Sequence, residues 1–170
     1  MLKKLLAGII DSDLYIQVWE SHIRVINIQT GIEVYEPPLI AFDKGEFDKD
    51  EKEAGTPRAF GADAKLLLSN PAYQVTNPFS HPRQLLANFQ NAEKVLKHMV
   101  NNAAGKRVFT PSPRIVFQPM EKIEGGLTEV EIRAFKELCL GTGAREVIIY
   151  LGPPVSRQSF NFAELKAKGI

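Results

Sequence analysis

From Leu14 to Val25 apolar residues alternate with polar or aromatic ones, and this period of two predicts a pair of strands. Leu14, Ile16 and Val18 form the buried set of the first, Ile23 and Val25 that of the second. Glu20-Ser21 between them predicts a tight hairpin. A third strand is expected over 32–42, preceded by Gly31 and demoted in its middle to an edge or bulge by Pro37-Pro38. Residues 43–56 interleave charges of both signs and hold almost no apolar side chain, which predicts a solvated loop. Its carboxylates lack the glycine and glutamate spacing of a calcium loop.

Further along, the period changes. Residues 62–69 predict a short helix stopped by Asn70-Pro71, and 77–82 a proline-rich bend. Over 88–101, Phe89, Ala92, Val95, Leu96 and Met99 fall three or four apart, the spacing of one helix face. Glu93 and Lys97 form an i, i+4 pair outside that face. The apolar run 115–117 is too short for anything but a buried strand. Thr128 and Glu131 make a capping box for a helix over 129–140. Ile132, Phe135 and Cys139 supply its inner face, and Gly141 is the expected stop. Residues 147–151 are wholly apolar, as in the middle of a parallel sheet. Strand, helix and strand in succession imply a right-handed crossover. The order predicts an α/β protein with a mixed sheet flanked by helices.

Charge and composition narrow the function classes. The chain has 170 residues, enough for one ordinary core, and a formal net charge of +1, which implies no bulk attraction to nucleic acid. A single cysteine forbids an internal disulfide, and the three histidines, His22, His81 and His98, lack metal-ligand spacing. No apolar run approaches the ~20 residues of a membrane-spanning helix. The start, MLKKLLAGII, has no small-residue cleavage site and reads as retained.

The segment PSPRIVFQPMEKIEGGLTEVEIRAFKELCLGTGAREVIIYLGPP, 111–154, resembles MreB, the bacterial actin-like family that organises rod shape. GIEVYEPPLIA at 31–41, FGADAKLLL at 60–68, Asn77-Pro78 and NFQNAEKVLKHMV at 88–100 are similar to that family as well. The resemblance covers its first lobe only and implies half of an actin-like ATPase (ribonuclease H-like) fold, with a single lobe over 12–154 and a tail over 155–170. The family's first phosphate loop reads Asp-Leu-Gly-Thr; the matching place here is Gln17, Val18, Trp19, Glu20. Gln17 removes a carboxylate that would order metal-bound water. Trp19 puts a large side chain where glycine lets backbone N–H groups approach phosphate. Glu20 turns a negative charge toward a polyanion, although on its own it reads as a solvent-facing turn residue. The family's water-activating Glu-Glu-Pro appears as Leu151, Gly152, Pro153, and neither of the first two residues can act as a base. The resemblance therefore implies no catalytic residue, no cofactor and no metal. Trp19 reads as a packing aromatic and Cys139 as a small core residue.

In the first eleven residues, Leu2, Leu5, Leu6, Ile9 and Ile10 share one helical face, flanked by Lys3 and Lys4. Such a segment suits weak contact with a membrane surface, strengthened by avidity on a polymer. With the resemblance, the expectation is a cytoplasmic interaction protein, peripheral on the inner face of the inner membrane. Its partners would be MreB filaments or other shape-determining proteins. The alternative is a divergent ATPase or phosphotransferase completed by a partner chain that carries the second lobe. Pro153-Pro154 block the helix that follows in the family, so Phe160, Phe162 and Leu165 are expected to pack over the surface the second lobe would cover.

Overall fold

The structure, a computed structural model, describes residues 12–45, 55–105 and 111–170. The segment 1–11, with its predicted amphipathic helix, and most of the charged loop lie outside the described residues. A five-stranded mixed sheet carries the fold, in the order β3-β2-β1-β7-β8. Strand β1 (Asp13–Val18) pairs antiparallel with β2 (Ile23–Asn27), which pairs antiparallel with β3 (Glu33–Glu36). On its other side β1 runs parallel to β7 (Arg114–Pro119), and β7 parallel to β8 (Glu146–Ile149).

The expected third strand is two strands in two different sheets. Pro37, Pro38 and Leu39 break the ladder, and β4 (Ile40–Asp43) joins a second, three-stranded sheet with β5 (Ala59–Phe60) and β6 (Tyr73–Thr76). Helix α1 (Gly61–Leu66) follows β5 directly. Gly61 has a φ of +56°, and a Cβ there would stand 1.6 Å from the Glu36 carboxylate, which accepts a bond from Ala62 N at 3.4 Å. Glycine is what lets the carboxylate reach this helix start, whose N-cap, Phe60, has no side-chain acceptor.

Two long helices cover one face of the large sheet. In α2 (Phe89–Ala104) Ala92, Val95, Leu96 and Met99 are buried as predicted, whereas Phe89 is 36% exposed. Glu93 turns inward against α3 (Glu129–Gly141): a Cβ on Gly141 would lie 2.0 Å from its carboxylate. The small residue sets the close approach of the two helices. Gly141 is therefore inside α3 and does not stop it; Thr142 is the C-cap and Gly143, at φ +100°, leads the chain out. The capping box is formed, with Thr128 Oγ1 accepting from Glu131 N at 3.2 Å and the Glu131 carboxylate accepting from Thr128 N at 2.8 Å. Thr128→Ala is expected to cost about 1 kcal/mol, read as a small drop in the midpoint of thermal unfolding.

The opposite sheet face is covered by the chain's own last residues. Helix α4 (Phe162–Lys168) sets Phe162 and Leu165 into a cluster with Tyr15, Ile26, Val116, Ile148 and Tyr150, and Phe160 packs at its edge. Arg114 lies over the Phe162 ring at 4.3 Å and is ion-paired to Asp13 at 2.6 Å. Ile170 exchanges two backbone hydrogen bonds with Ile149 of the edge strand β8. No helix among the described residues is long and apolar enough to cross a membrane.

Candidate functional site

In an open sheet with parallel strands, ligands are taken at the carboxyl ends of the strands, where β1, β7 and β8 converge here. The parallel register sets Gln17 beside Gln118 and Val18 beside Pro119. Gln118 is the hub. Its Oε1 accepts from the Tyr15 hydroxyl and from Gln17 Nε2 at 3.3 Å, and its Nε2 donates to the Gly152 carbonyl at 2.6 Å. Arg24 Nη1 donates to Gln17 Oε1 at 3.4 Å. One buried amide thus ties both motif positions, the first loop and the turn after β8, into one network. Apart from the Arg24 guanidinium, the side chains in it are neutral amides and a hydroxyl, and burial raises the Tyr15 pKa.

Beyond Val18 the hairpin turn is held from three directions. The Glu20 carboxylate is ion-paired to Lys122 Nζ at 2.6 Å and accepts from Ser80 Oγ at 2.6 Å; Lys122 also donates to the His81 carbonyl. Glu20 N donates to the Glu121 carboxylate at 2.6 Å, and Asn77 Nδ2 donates to the Glu20 carbonyl at 2.8 Å. Glu20 keeps the solvent exposure expected of a turn residue, at 42% of its side chain, and also latches the turn to the 77–81 bend and the loop after β7. Lys122 and Ser80 hold its pKa below the usual carboxylate range. Lys122 is in the left-handed region at φ 57°, the one non-glycine residue there among those described.

Trp19 stacks on His22 at 4.1 Å, and His22 lies 4.6 Å from the Tyr35 ring. Burial lowers the His22 pKa. After β8, Leu151 packs half-buried against the main core. Gly152 is pinned under Tyr150: a Cβ there would meet Tyr150 Oη at 2.2 Å, and that hydroxyl donates to the Pro153 carbonyl at 3.1 Å. A carboxylate at this place would require the ring to leave. Cys139 is fully buried, which pushes its thiol far above the ordinary range. Among the described residues no group of three His, Cys, Asp or Glu side chains could hold a metal ion. A cavity of about 380 Å³, lined among others by Ser12, Gly105, Pro111 and Gly143, opens at the opposite, amino ends of β1 and β7.

Sequence reading missed Gln118, Lys122 and Tyr150. A polar residue inside the apolar run IVFQP signals a buried hydrogen-bond partner. Nothing in the sequence links Glu20 to Lys122, 102 positions away.

Residues 12–155 match the family model described as MreB/Mbl protein. The chain belongs to the MreB/Mbl family. The cell shape-determining protein MreB of Pasteurella multocida (strain Pm70) is 29% identical over 153 residues, covering 90% of this chain and 41% of the relative. The MreB of Escherichia coli (strain K12) is 30% identical over 156 residues, covering 90% and 42%. Among solved structures, MreB5 of Spiroplasma citri bound to AMPPNP aligns with a TM-score of 0.59 at 19% identity, over 82% of this chain and 38% of that one. The fold is accordingly the actin-like one. The chain spans roughly two fifths of the length of its curated relatives.

Proposed function

We propose that this chain is an MreB-type cytoskeletal interaction protein that neither binds nor hydrolyses ATP. The observation that carries the reading is the internally satisfied carboxyl-end crevice. Gln118 joins both motif positions, the Glu20–Lys122 pair closes the turn, and Tyr150 fills the space over Gly152. Among the described residues, the carboxylates that border the crevice, Glu20 and Glu121, are already engaged by Lys122, Ser80 and the Glu20 backbone N–H, and positions 17 and 152 carry none. In this reading the body spans 12–154, the tail 155–170 is its cover, and the segment 1–11 makes weak contact with the inner membrane surface through Leu2, Lys3, Lys4, Leu5, Leu6, Ile9 and Ile10. The partners are MreB filaments or other shape-determining proteins.

Thermal shift with Mg-ATP tests it. A ligand at a hundredfold excess over its Kd stabilises by ~2.7 kcal/mol, roughly 5–10 °C for a chain of this size. The expected shift is none, and a saturable rise of that size defeats the proposal. A second reading draws on length, since relatives run to more than twice this chain: a partner chain could supply the other wall of a nucleotide site. A pull-down from the native lysate separates the two. Recovery of full-length MreB, reduced in a Leu5→Asp, Ile9→Asp variant, supports the first reading; recovery of a chain carrying the missing lobe, together with an ATP shift of the complex, supports the second.

A further inference from the structure

The tail covers only part of its sheet face. Cross-strand register places Gln17, Arg24 and Tyr35 in one row on that face, one step further along the sheet than the Tyr15–Ile26–Glu33 row. Tyr15 and Ile26 lie under the tail, whereas Tyr35 is 60% exposed. Trp19 stacks on His22 at 4.1 Å, and the Tyr35 ring rests against His22 at 4.6 Å, tilted by 38°, so that one side of the outer ring is backed and the other meets solvent. Arg24 is held by a two-point ion pair with Glu33 at 2.8 and 2.9 Å. Beside this row, between β2–β3 and the tail, is a concavity of about 330 Å³ lined by Arg24, Glu33, Ser156 and Arg157. Two guanidinium groups and one carboxylate leave it a net charge of +1. The excess belongs to Arg157, whose guanidinium donates to the carbonyls of Ile28 and Gln29 at 2.8 and 3.2 Å and so keeps its charge.

We infer that the exposed outer end of this row, Arg24 and Tyr35, with the concavity beside it, is a protein-docking surface for an acidic segment that carries an aromatic side chain. Tyr and Arg are among the residue types that dominate binding energy at interfaces, and here both are held in place before binding, which reduces the ordering cost. The free face of Tyr35 takes the aromatic ring, and the positive concavity takes the carboxylate. The inference rests on the interaction-protein reading only in expecting a polypeptide partner.

Trp19 is the single tryptophan of the chain, so its fluorescence reports from beside this surface. The full chain is titrated with a random glutamate–tyrosine copolymer and, separately, with a lysine–tyrosine copolymer. The expected result is a saturable change with the acidic polymer alone. Tyr35→Ala is expected to weaken it roughly tenfold. Arg157→Gln should weaken it about fivefold at low salt and little at high salt. Both side chains are exposed, and because Arg157 also ties the tail to the carbonyls of Ile28 and Gln29, the unfolding midpoint of each variant is measured alongside; weakened binding at an unchanged midpoint supports the assignment. Absence of binding, equal binding of both polymers, or unchanged affinity in both variants overturns the assignment. If the polymer fails while full-length MreB is still recovered by pull-down, the docking surface falls and the function stands. The reverse result leaves the surface and removes MreB as the partner.

Discussion

Replacing Phe162 and Leu165 together by alanine is expected to bring the protein close to unfolding. Phe162 is 8% exposed and Leu165 4%, and both close the sheet face formed by Tyr15, Ile26, Val116 and Ile148. Each truncation removes buried apolar surface and leaves a void, at about 2–4 kcal/mol apiece. They touch the same cluster, so the sum is not strictly additive, but about 5 kcal/mol is a large share of the 5–15 kcal/mol that holds a typical domain. A fall of roughly 10–20 °C in unfolding midpoint is expected, with binding of a hydrophobic dye at room temperature. Deletion of residues 160–170 should go further and give insoluble protein. A soluble deletion variant with an unchanged midpoint would show that the tail does not act as the cover.

The second large effect is expected at the Asp13–Arg114 pair. The Arg114 guanidinium donates to both Asp13 oxygens, at 2.6 and 2.9 Å, and Gln29 Nε2 donates to the same carboxylate at 3.1 Å. The Asp13 side chain is only 9% exposed. Arg114→Met keeps an apolar stem against Phe162 but strands the carboxylate, at an expected cost of about 3 kcal/mol. Adding Asp13→Leu removes the stranded charge and should restore most of that loss, because a buried ion pair replaced by apolar groups is close to neutral. Denaturant midpoints of the two single variants and the double variant measure the coupling directly. If the double variant is as unstable as the sum of the singles, the pair contributes through packing and not through charge.

Much of the fold was legible because the signals were local. The alternation across Leu14–Val25 needs only a hairpin, the Thr128–Glu131 box needs only four residues, and the β7–α3–β8 crossover follows from two short apolar runs around one amphipathic helix. The failures arose where tertiary packing chose between equal local patterns. Residues 32–42 read as one strand interrupted at Pro37-Pro38, yet its halves serve different sheets, because the register is set by separate partners. Strand β6, Tyr73–Thr76, is half-buried along its length and shows no clean period. Gly141 looked like a helix stop, but its lack of a side chain serves the contact with Glu93. At the candidate site, the replaced motif residues stand out in the sequence. Their new partners do not: Gln118 and Lys122 reach them only through the folded sheet, and the way Tyr150 folds back over its own near neighbour Gly152 has no pattern in the sequence.

Tyr150 over Gly152 also constrains the order in which this surface could change over generations. A mutation that placed glutamate at position 152 would appear first as a steric defect, because its Cβ falls 2.2 Å from the Tyr150 hydroxyl, which is already bonded to the Pro153 carbonyl. Selection could see the carboxylate's chemistry only in a lineage that had already exchanged Tyr150 for something smaller. That exchange itself opens a gap beside Phe162 and Leu165, in the cluster the tail depends on. Any route to a carboxylate at position 152 therefore begins with a loss of stability.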